Sequence, residues 1–578
     1  MAQRLPRPEH PRPDFERSDW LSLNGEWEFE IDPGNTGEGR GLVTGKKLDG
    51  SIRVPFCPES RLSGVGHLDF MEAVWYRKRI RLPRSWEGRR VLLHFGAVDY
   101  DATVWVNGAP IGRHRGGYVP FHFDVTHALA PGVNEIVVRA VDHTRSRLQP
   151  TGKQSHRYGS YGCMYRRTTG IWQTVWVEAA GEMYLERVTV LPDLDSGHVL
   201  VQGEISGAPG RRSTATTLHV TIRAGRKVVA QAEAPAWWRG TLVFLKVPEV
   251  RPWSLADPYL YTMEIRLERG GTLCDRVTSY FGFRRIHIEG NRIYLNDRVL
   301  FQRLVLDQGF YPGGIYTAPT DRALRRDIEL SKAMGFNGAR LHQKVFEPRF
   351  LYWADRLGYL CWGEFPDWGL DFANAEALSN LTQEWVQAVQ RDRNHPCIIG
   401  WCPTNETPES QRRESIRLIY DVTRAVDPTR PIIDTSGYTH VYTDVDDNHD
   451  YTQDPRELEK RQDPLVQGRP FRNHAGDAAY RGQPFICSEY GGIWWNPGQK
   501  GSKEWGYGNR PRSAKEFLDR LARLTGVLVN NPGMSGFCYT QLTDVEQEVN
   551  GLYTFDRKPK FDPSVIAPVF QQNAAIEK

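Results

Sequence analysis

The chain has 578 residues, a formal net charge of +4 and 40% hydrophobic residues. This length exceeds what one hydrophobic core supports and predicts roughly three or four domains. The Lys and Arg residues are scattered and form no basic stripe, which argues against a nucleic-acid-binding protein. The sequence has no signal-like apolar segment near its start and no membrane-spanning run, so it predicts a cytoplasmic protein with no membrane partner.

Residues 1–182 are predicted to form a β domain. Alternating runs such as Trp75–Leu82 and Val91–Phe95 are cut by Gly and Pro, and Asp101–Gly108 ends in an Asn-Gly hairpin signal. Many short strands with turn signals are typical of a sandwich or jelly roll. Residues 183–285 repeat the pattern at the size of an immunoglobulin-like β-sandwich. No cluster of His, Cys or acidic residues marks a site there, so we interpret it as a spacer domain.

Residues 286–578 change to strands that alternate with helices. The strands are predicted at Phe301–Leu306, Gly338–His342, Tyr359–Gly363, Ile398–Cys402, Pro431–Asp434, the region of Asn448–Tyr451, Phe485–Ser488 and Ser535–Thr540. Eight strands interleaved with helices in about 290 residues are typical of a (β/α)8 TIM barrel. In such barrels the chemistry lies at the C-terminal ends of the strands.

Two glutamates lie at or just past the C-terminal ends of predicted barrel strands. Glu406 follows the fourth strand and Glu489 follows the seventh. A retaining glycosidase needs two carboxyl groups about 5 to 5.5 Å apart, one as nucleophile and one as proton donor and then base. The glycines after Tyr490 leave space around Glu489, which suits the nucleophile and makes Glu406 the acid and then the base. For either glutamate alone, a solvated residue at a strand end is the alternative.

Motifs over nearly the whole chain resemble one known family. They are Leu23–Trp27, Val104–Gly108, Thr169–Gln173, Phe281–Arg284, Asn394–Pro396, Asn405–Glu406, Ser488–Gly491 and Asp556–Lys560. With the domain order, they are similar to glycoside hydrolase family 2, the family of β-galactosidases, β-glucuronidases and β-mannosidases. The resemblance implies that the first domain is a sugar-binding jelly roll and the barrel is catalytic. It also implies Glu406 as acid/base, Glu489 as nucleophile and Asn405 as the hydrogen-bond partner of the sugar 2-hydroxyl.

Further substrate-binding residues follow from the same resemblance. His342 is expected to bind a sugar hydroxyl, with a buried structural histidine as the alternative. Tyr451 resembles the tyrosine that donates to the nucleophile, with a lining aromatic as the alternative. Tyr539 stands where better-known members have a Trp under the sugar. Four tryptophans are candidate stacking platforms or core residues: Trp362, Trp368, Trp494 and Trp495.

Two departures from the family pattern bear on the sugar. β-Glucuronidases carry Asn-x-Lys just before the last motif to pair with the uronate, whereas Glu548–Asn550 here contains no cation. Larger β-galactosidases reach an Asp from the jelly roll into the pocket and bind magnesium and sodium. Near Thr169–Gly170 the polar groups of this chain are Lys153, Gln154 and Tyr161. We therefore expect no obligatory metal, no cofactor and a neutral sugar.

The sequence as a whole predicts an exo-acting retaining glycoside hydrolase with β-D-galactose as the first expectation for the terminal sugar. A furanosidase acting on galactofuranosides or arabinofuranosides is the nearest alternative, because Tyr539 and the missing Asp remove two galactopyranose markers. A transglycosylase would use the same intermediate. A non-catalytic carbohydrate-binding protein on the same fold is the alternative from another class. The expected partner is a glycoside or oligosaccharide, and a homo-oligomer stays open.

Overall fold

The computed structural model describes residues 5–207, 216–236, 240–498 and 503–578. It shows a jelly roll, an immunoglobulin-like sandwich and a TIM barrel in that order, which confirms the predicted fold class. The domain boundaries after residues 182 and 285 stay a prediction. Within the described ranges, no helix combines the length and the apolar character needed to cross a membrane.

The first domain packs two antiparallel sheets on one core. Its strands are β1 (Trp20–Ser22), β2 (Gly25–Asp32), β3 (Gly50–Val54), β4 (Ala73–Arg81), β5 (Arg90–Phe95), β6 (Val98–Asp99), β7 (Asp101–Val106), β8 (Ala109–Arg115), β9 (Phe121–Asp124), β10 (Val133–Val141), β11 (Gly170–Ile171) and β12 (Val175–Ala180). The larger sheets have the orders β3-β2-β4-β10-β7-β8 and β1-β12-β5-β9. Val74 and Val104 of the first sheet share a buried cluster with Leu93 and Val177 of the second. Alternating strands therefore close a sandwich, as the sequence pattern predicts.

The second domain is a smaller sandwich. Its strands are β13 (Tyr184–Pro192), β14 (His198–Ser206), β15 (Thr216–Ala224), β16 (Lys227–Pro235), β17 (Thr241–Lys246), β18 (Tyr261–Arg269) and β19 (Thr272–Phe281). They form sheets of order β13-β14-β17 and β16-β15-β18-β19. In β17, Val243 is buried while Leu242 and Phe244 are exposed, because successive side chains of a strand point to opposite faces.

The third domain begins with a small antiparallel sheet and continues as the barrel. Its strands are β20 (Ile286–Glu289), β21 (Arg292–Leu295), β22 (Arg298–Val299), β23 (Gln302–Asp307), β24 (Gly338–Leu341), β25 (Leu360–Glu364), β26 (Ile398–Cys402), β27 (Asp446–Asp450), β28 (Phe485–Gly491) and β29 (Met534–Thr540). Its helices are α1 (Asp321–Ala333), α2 (Pro348–Leu357), α3 (Ala375–Asp392), α4 (Arg413–Val426), α5 (Pro455–Gln462), α6 (Ala514–Asn530) and α7 (Pro563–Phe570). The parallel barrel sheet has the order β26-β25-β24-β23-β29-β28-β27. The strand ends therefore meet at one mouth.

The predicted fifth barrel strand, Pro431–Asp434, lies beside β26 but is not a regular strand. It pairs through two isolated parallel bridges, Trp401 with Ile432 and Asn405 with Ser436. The Ile432 N–H donates to the Asp444 carboxylate at 2.8 Å, which removes it from any strand ladder. The barrel thus has the eight predicted strand positions. At one of them, isolated bridges and side-chain hydrogen bonds replace a regular strand.

Local signals place the barrel helices. The side chains of Thr320, Asn374 and Ser513 accept backbone N–H bonds at the starts of α1, α3 and α6. The last helix spans Pro563–Phe570, because Asp562 caps it and Pro563 suits the first turn. Helix α5 begins with the same Asp-Pro pattern.

A loop of the first domain lies on the barrel mouth. The Thr151 N–H donates to the Trp368 carbonyl at 2.9 Å, and the Gln547 side chain donates to the Gly162 carbonyl at 2.6 Å. At Gly152 an added Cβ would lie 2.5 Å from the Gln343 carbonyl oxygen, so only glycine fits this approach. These contacts place the first domain at the barrel mouth, where the strands that carry the predicted glutamates also end.

Candidate active site

The end of β28 presents Glu489 to a group of donors. Arg340 on β24 donates to Glu489 Oε1 at 3.1 Å, and the Tyr451 hydroxyl, just past β27, donates to Glu489 Oε2. Tyr451 stacks on Tyr507 with ring centroids 3.5 Å apart, which fixes its orientation. A buried carboxylate with these donors is both oriented and favoured in its ionised form.

Arg340 connects Glu489 to the neighbouring strands. It is 1% exposed and also donates to Glu364 Oε2 at 2.7 Å and to Asn405 Oδ1 at 2.9 Å. The bond to Arg340 fixes the Asn405 amide so that its Nδ2 points away from Arg340. Asn405 Nδ2 is buried and has no hydrogen-bond partner among the described residues. It is therefore a free donor at the position predicted to bind the sugar 2-hydroxyl.

Glu406 lies past the end of β26 in a left-handed backbone conformation, with φ of 51°. Such values are uncommon for residues other than glycine and occur most often where a site requires them. Its Oε1 lies 2.9 Å from His449 Nδ1. His449 Nε2 in turn lies 3.4 Å from Glu489 Oε1, so one imidazole connects the two glutamates.

The two predicted catalytic carboxyl groups are close together. One oxygen of Glu406, one oxygen of Glu489 and a ring nitrogen of His449 all lie within 4.8 Å of one another. This separation leaves room for a sugar anomeric carbon and its leaving oxygen, and not for an additional water between the carboxyl groups. The geometry can therefore support attack by one carboxylate and proton donation by the other.

Local charge sets the ionisation of this group. Burial by itself raises the pKa of Glu489, but the charges of His449 and Arg340 outweigh burial and hold that pKa below its usual range. Burial by itself lowers the pKa of His449, but Glu489 and Glu406 outweigh burial and raise it. A group of this spacing can also hold a metal ion, which would have to displace any proton from the imidazole. The contacts of His449 with both glutamates make it a positioning residue for the pair.

A buried chain of polar groups supports His449 from behind. Its Nε2 is also 3.2 Å from the Ser436 hydroxyl, which donates to Asp447 Oδ2 at 2.6 Å. The other oxygen of Asp447 lies 2.9 Å from His440 Nε2, and His440 Nδ1 lies 2.7 Å from Asp434. The position of His449 is therefore determined by the segment beside β26 and by β27 together.

The structure brings His342 to the site. Its Nδ1 lies 2.8 Å from Glu364 Oε1, and its ring meets the edge of Trp368 at 6.4 Å. Trp368 Nε1 donates to the Asn405 carbonyl at 3.2 Å, so Trp368 also belongs to the mouth. Among the four candidate tryptophans, Trp368 is the one with a described contact to a predicted catalytic or binding residue.

Tyr539 does not lie in the pocket. Its ring packs against Tyr490 at 5.7 Å and against Phe570 of α7 at 5.6 Å, between the sheet and the outer helices. The next residue, Thr540, faces inward and lies 3.0 Å from the Tyr451 hydroxyl. The prediction failed by one residue, because side chains of a strand alternate between its faces.

The other tryptophans have mainly structural surroundings. Trp362 is fully buried and donates to Gln302 Oε1 at 2.7 Å inside the barrel. Trp495 stacks on Phe561 at 5.6 Å. Trp494 is half-buried after β28, and its Nε1 has no hydrogen-bond partner within the described ranges. Trp494 therefore stays a predicted substrate-binding residue.

Sequence reasoning missed three residues of the site. Arg340 could have been noticed as a lone cation inside the apolar run of β24, and His449 as a histidine two residues before Tyr451. Lys153 was noted only as a polar group near the first-domain motif. Its Nζ lies 5.3 Å from the centre of the Trp368 ring and 5.9 Å from that of Tyr165.

The segment that carries no cation, Glu548–Asn550, is a closed network. The Tyr165 hydroxyl donates to Glu548 Oε2, and Asn550 Nδ2 donates to Glu548 Oε1 at 3.0 Å. Gln308 donates to the Tyr165 hydroxyl at 2.9 Å. Both oxygens of Glu548 are therefore used, and its side chain links the first-domain loop to the barrel.

Family comparisons cover most of the chain. Residues 317–566 match the glycosyl hydrolases family 2 TIM barrel domain. Residues 65–173 match the glycosyl hydrolase 2 galactose-binding domain-like family, and residues 183–284 match glycosyl hydrolases family 2. These matches confirm the resemblance predicted from the motifs.

Similar proteins include enzymes with two names. A β-glucuronidase of Paenibacillus borealis is 26% identical over 507 residues, which cover 81% of this chain and 82% of that protein. A β-galactosidase of Thermoanaerobacter pseudethanolicus is 26% identical and covers 66% of this chain and 50% of that protein. The crystal structure of Ruminococcus gnavus β-glucuronidase has a TM-score of 0.80 at 21% identity and covers 98% of this chain and 99% of that one. The last likeness shows the shared fold.

Proposed function

The chain belongs to glycosyl hydrolase family 2 and is an O-glycosyl hydrolase, and from this premise we propose that it is an exo-acting enzyme that cleaves β-glycosides with retention. The observation that carries the proposal is the distance within 4.8 Å between a Glu406 oxygen and a Glu489 oxygen. Inverting enzymes hold their two carboxyl groups about 6.5 to 9.5 Å apart to admit a water molecule. Retaining enzymes have the shorter spacing.

The surroundings of Glu489 fit a nucleophile. Arg340 and Tyr451 each bind one of its oxygens, so the carboxylate is held in place without a proton. Attack on the anomeric carbon would form a neutral glycosyl ester while the bond to the leaving oxygen breaks. Glu406 protonates that oxygen, so the negative charge passes from Glu489 to Glu406. Arg340 and Tyr451 then remain beside the ester and stabilise the carboxylate when the second step releases it.

Glu406 fits the acid and base role. It stands beside Glu489 but shares neither Arg340 nor Tyr451, and its own described side-chain contact is His449. In the first step its carboxyl proton goes to the leaving oxygen. In the second step its carboxylate takes a proton from the attacking water. The proton transfer at Glu406 in the second step is thus the reverse of that in the first.

Asn405 and the domain arrangement support the choice of substrate end. The free Nδ2 of Asn405 is available to the 2-hydroxyl, where hydrogen bonds strengthen in the transition state of such reactions. The first-domain loop that carries Lys153 and Tyr165 covers one side of the mouth and contacts the barrel through Trp368 and Gln547. A mouth covered on one side favours a terminal sugar over an internal one.

The terminal sugar is proposed as a β-linked hexose or hexuronate. The expectation of β-D-galactose rested on the missing cation in Glu548–Asn550, and the named relatives include β-glucuronidases as well as a β-galactosidase. The charge of the preferred sugar therefore depends on other groups at the mouth.

The test is the configuration of the released sugar. Proton NMR during hydrolysis of aryl β-glycosides should show the β-anomer first, followed by slow mutarotation. With azide present, Glu406→Ala should form a β-glycosyl azide and Glu489→Gly an α-glycosyl azide, because each small anion enters the space of the missing carboxylate. First appearance of the α-anomer would reject retention. Binding of glycans without turnover would favour the non-catalytic alternative.

A further inference from the structure

Lys153 is a buried cation without a direct partner. It is 5% exposed, and no described carboxylate, carbonyl or hydroxyl oxygen makes a hydrogen bond or an ion pair with its Nζ. The other buried lysine, Lys344, donates to the Gly309 carbonyl at 2.6 Å and to the Tyr316 carbonyl at 2.8 Å. Lys560, whose amine is also largely buried, donates to Asp544 at 2.6 Å and to two carbonyls. Lys153 is thus different from lysines that stabilise the fold.

The position of Lys153 is the mouth of the barrel. Its amine lies over the rings of Trp368 and Tyr165, and Trp368 donates to the backbone carbonyl of Asn405. Burial by itself lowers the pKa of Lys153, but the Cys163 thiol and then the carboxylates of Glu548 and Glu489 outweigh burial and raise it. The side chain is therefore held as an ammonium group at the same end of the barrel as the catalytic pair.

Glu548 does not neutralise Lys153 directly. Its two oxygens accept bonds from Tyr165 and Asn550, and it forms no ion pair with Lys153 within 4.0 Å. The Lys153 side chain is largely buried, and an ammonium group in such surroundings gains more from a charged acceptor than an exposed one does. No described side chain supplies that acceptor, and the substrate is a group that enters this space.

We propose that Lys153 binds a carboxylate of the terminal sugar, so that the preferred substrates are β-hexuronides. The cation that recognises this carboxylate would then come from the first domain. The proposal rests on the proposed function, since it assigns a subsite to the same pocket. Glu548–Asn550, which lacks a cation, would then line another side of the sugar. This assignment reverses the neutral sugar expected from the sequence, because that expectation considered one segment of the barrel alone.

The test compares aryl β-D-glucuronide and β-D-galacturonide with the corresponding glucoside and galactoside. Wild-type protein should prefer a uronide. Lys153→Met should lower kcat/KM for that uronide by on the order of 10²-fold, as expected when one member of a buried charge pair is removed, and change neutral glycosides by less than about threefold. Lys503→Met, at an exposed lysine near the mouth, is the control and should leave the preference unchanged.

Binding separates failure of this inference from failure of the proposed function. Calorimetry with D-glucuronate, D-galacturonate and D-galactose should show uronate binding in wild-type protein that Lys153→Met abolishes. Because Lys153→Met removes an unpaired charge, it should leave the ligand-free Tm unchanged or raised, which excludes unfolding as the cause. Preference for neutral glycosides, or an equal loss for all sugars, would overturn the Lys153 inference while hydrolysis still supported the proposed function. Uronate binding through Lys153 without hydrolysis of any glycoside would reject the proposed function and retain the subsite.

Discussion

Two regions of the molecule bury charge in opposite ways. At the junction of the first two domains, Arg17 binds both oxygens of Asp275, one oxygen of Glu178 and the Leu185 carbonyl. At the barrel mouth, the amine of the largely buried Lys153 has no hydrogen bond or ion pair to a described residue. Buried Asn405 Nδ2 also has no hydrogen-bond partner among these residues. Burying polar groups is costly unless they are hydrogen-bonded. The complete hydrogen bonding of Arg17 therefore indicates a structural role. The incomplete hydrogen bonding of Lys153 and Asn405 indicates a place where a ligand supplies the remaining partners.

The two regions also differ in what their carboxylates contact. Glu178 at the junction accepts from Arg17 and from Trp176 Nε1 and lies 3.4 Å from His10. Glu406 at the mouth has one described side-chain contact, the imidazole of His449. A carboxyl group that must give and take protons needs a free side, whereas one that joins domains does not.

The largest expected effect is the loss of activity in Glu489→Gln. The amide keeps the shape but removes the nucleophile, so kcat should fall by roughly 10⁴-fold or more. The Tm should change little beside that loss, because Arg340 keeps its bonds to Glu364 and Asn405. Steady-state kinetics and thermal unfolding measure the two effects. An active Glu489→Gln protein would show that the nucleophile lies elsewhere.

Arg17→Met should show the reverse pattern. It leaves Asp275 and Glu178 buried without their partner, which costs about 3–5 kcal/mol in the free energy of unfolding. The kcat of the folded fraction should stay close to the wild-type value, since no described contact joins Arg17 to the mouth. Denaturant unfolding and activity per folded molecule are the measurements. Arg89→Met, which removes a more exposed ion pair with Asp19, is the control and should cost about 1 kcal/mol or less. Equal losses in both variants would contradict the comparison.

His449→Asn should have the smallest effect on activity, and its effect on stability should depend on pH. His449 contacts Glu406 and Glu489 and is not expected to touch the sugar, so kcat/KM should fall by about 10-fold and the pH profile should shift. The folded pKa of His449 is raised, so its contribution to stability is full at low pH and is lost as the pH rises through that raised value. The unfolding free energies of wild type and variant should therefore differ most in acid and converge in base. A difference independent of pH would mean that His449 acts by packing alone.

Much of the fold could be predicted from the sequence. The alternation of strands in the first two domains and the alternation of strands with helices afterwards gave the three architectures, because both periods are local properties of the chain. Glu406 and Glu489 were predicted as the catalytic pair because each lies just past a buried apolar run. The prediction of a regular fifth strand was wrong where a side chain competes with the backbone hydrogen bonds of the sheet, as Asp444 does at Ile432.

The site depended on contacts that no local pattern contains. Tyr539 and Thr540 are neighbours in the chain and point to opposite faces of β29. Which of the two side chains points into the barrel is set by the register of β29 against its neighbouring strands. Lys153 comes from another domain. Its position at the barrel mouth follows only from the contacts of its loop with Trp368 and Gln343.

The sequence by itself determined the order of domains and the two carboxylates, because hydrophobic periodicity and strand-end residues are read along the chain. Tertiary structure alone decided which donors hold Glu489, that His449 connects it to Glu406, and that a cation from the first domain lies at the mouth. The physical reason is that charge and hydrogen bonding act across a few ångströms of space, between groups that the chain separates by whole domains.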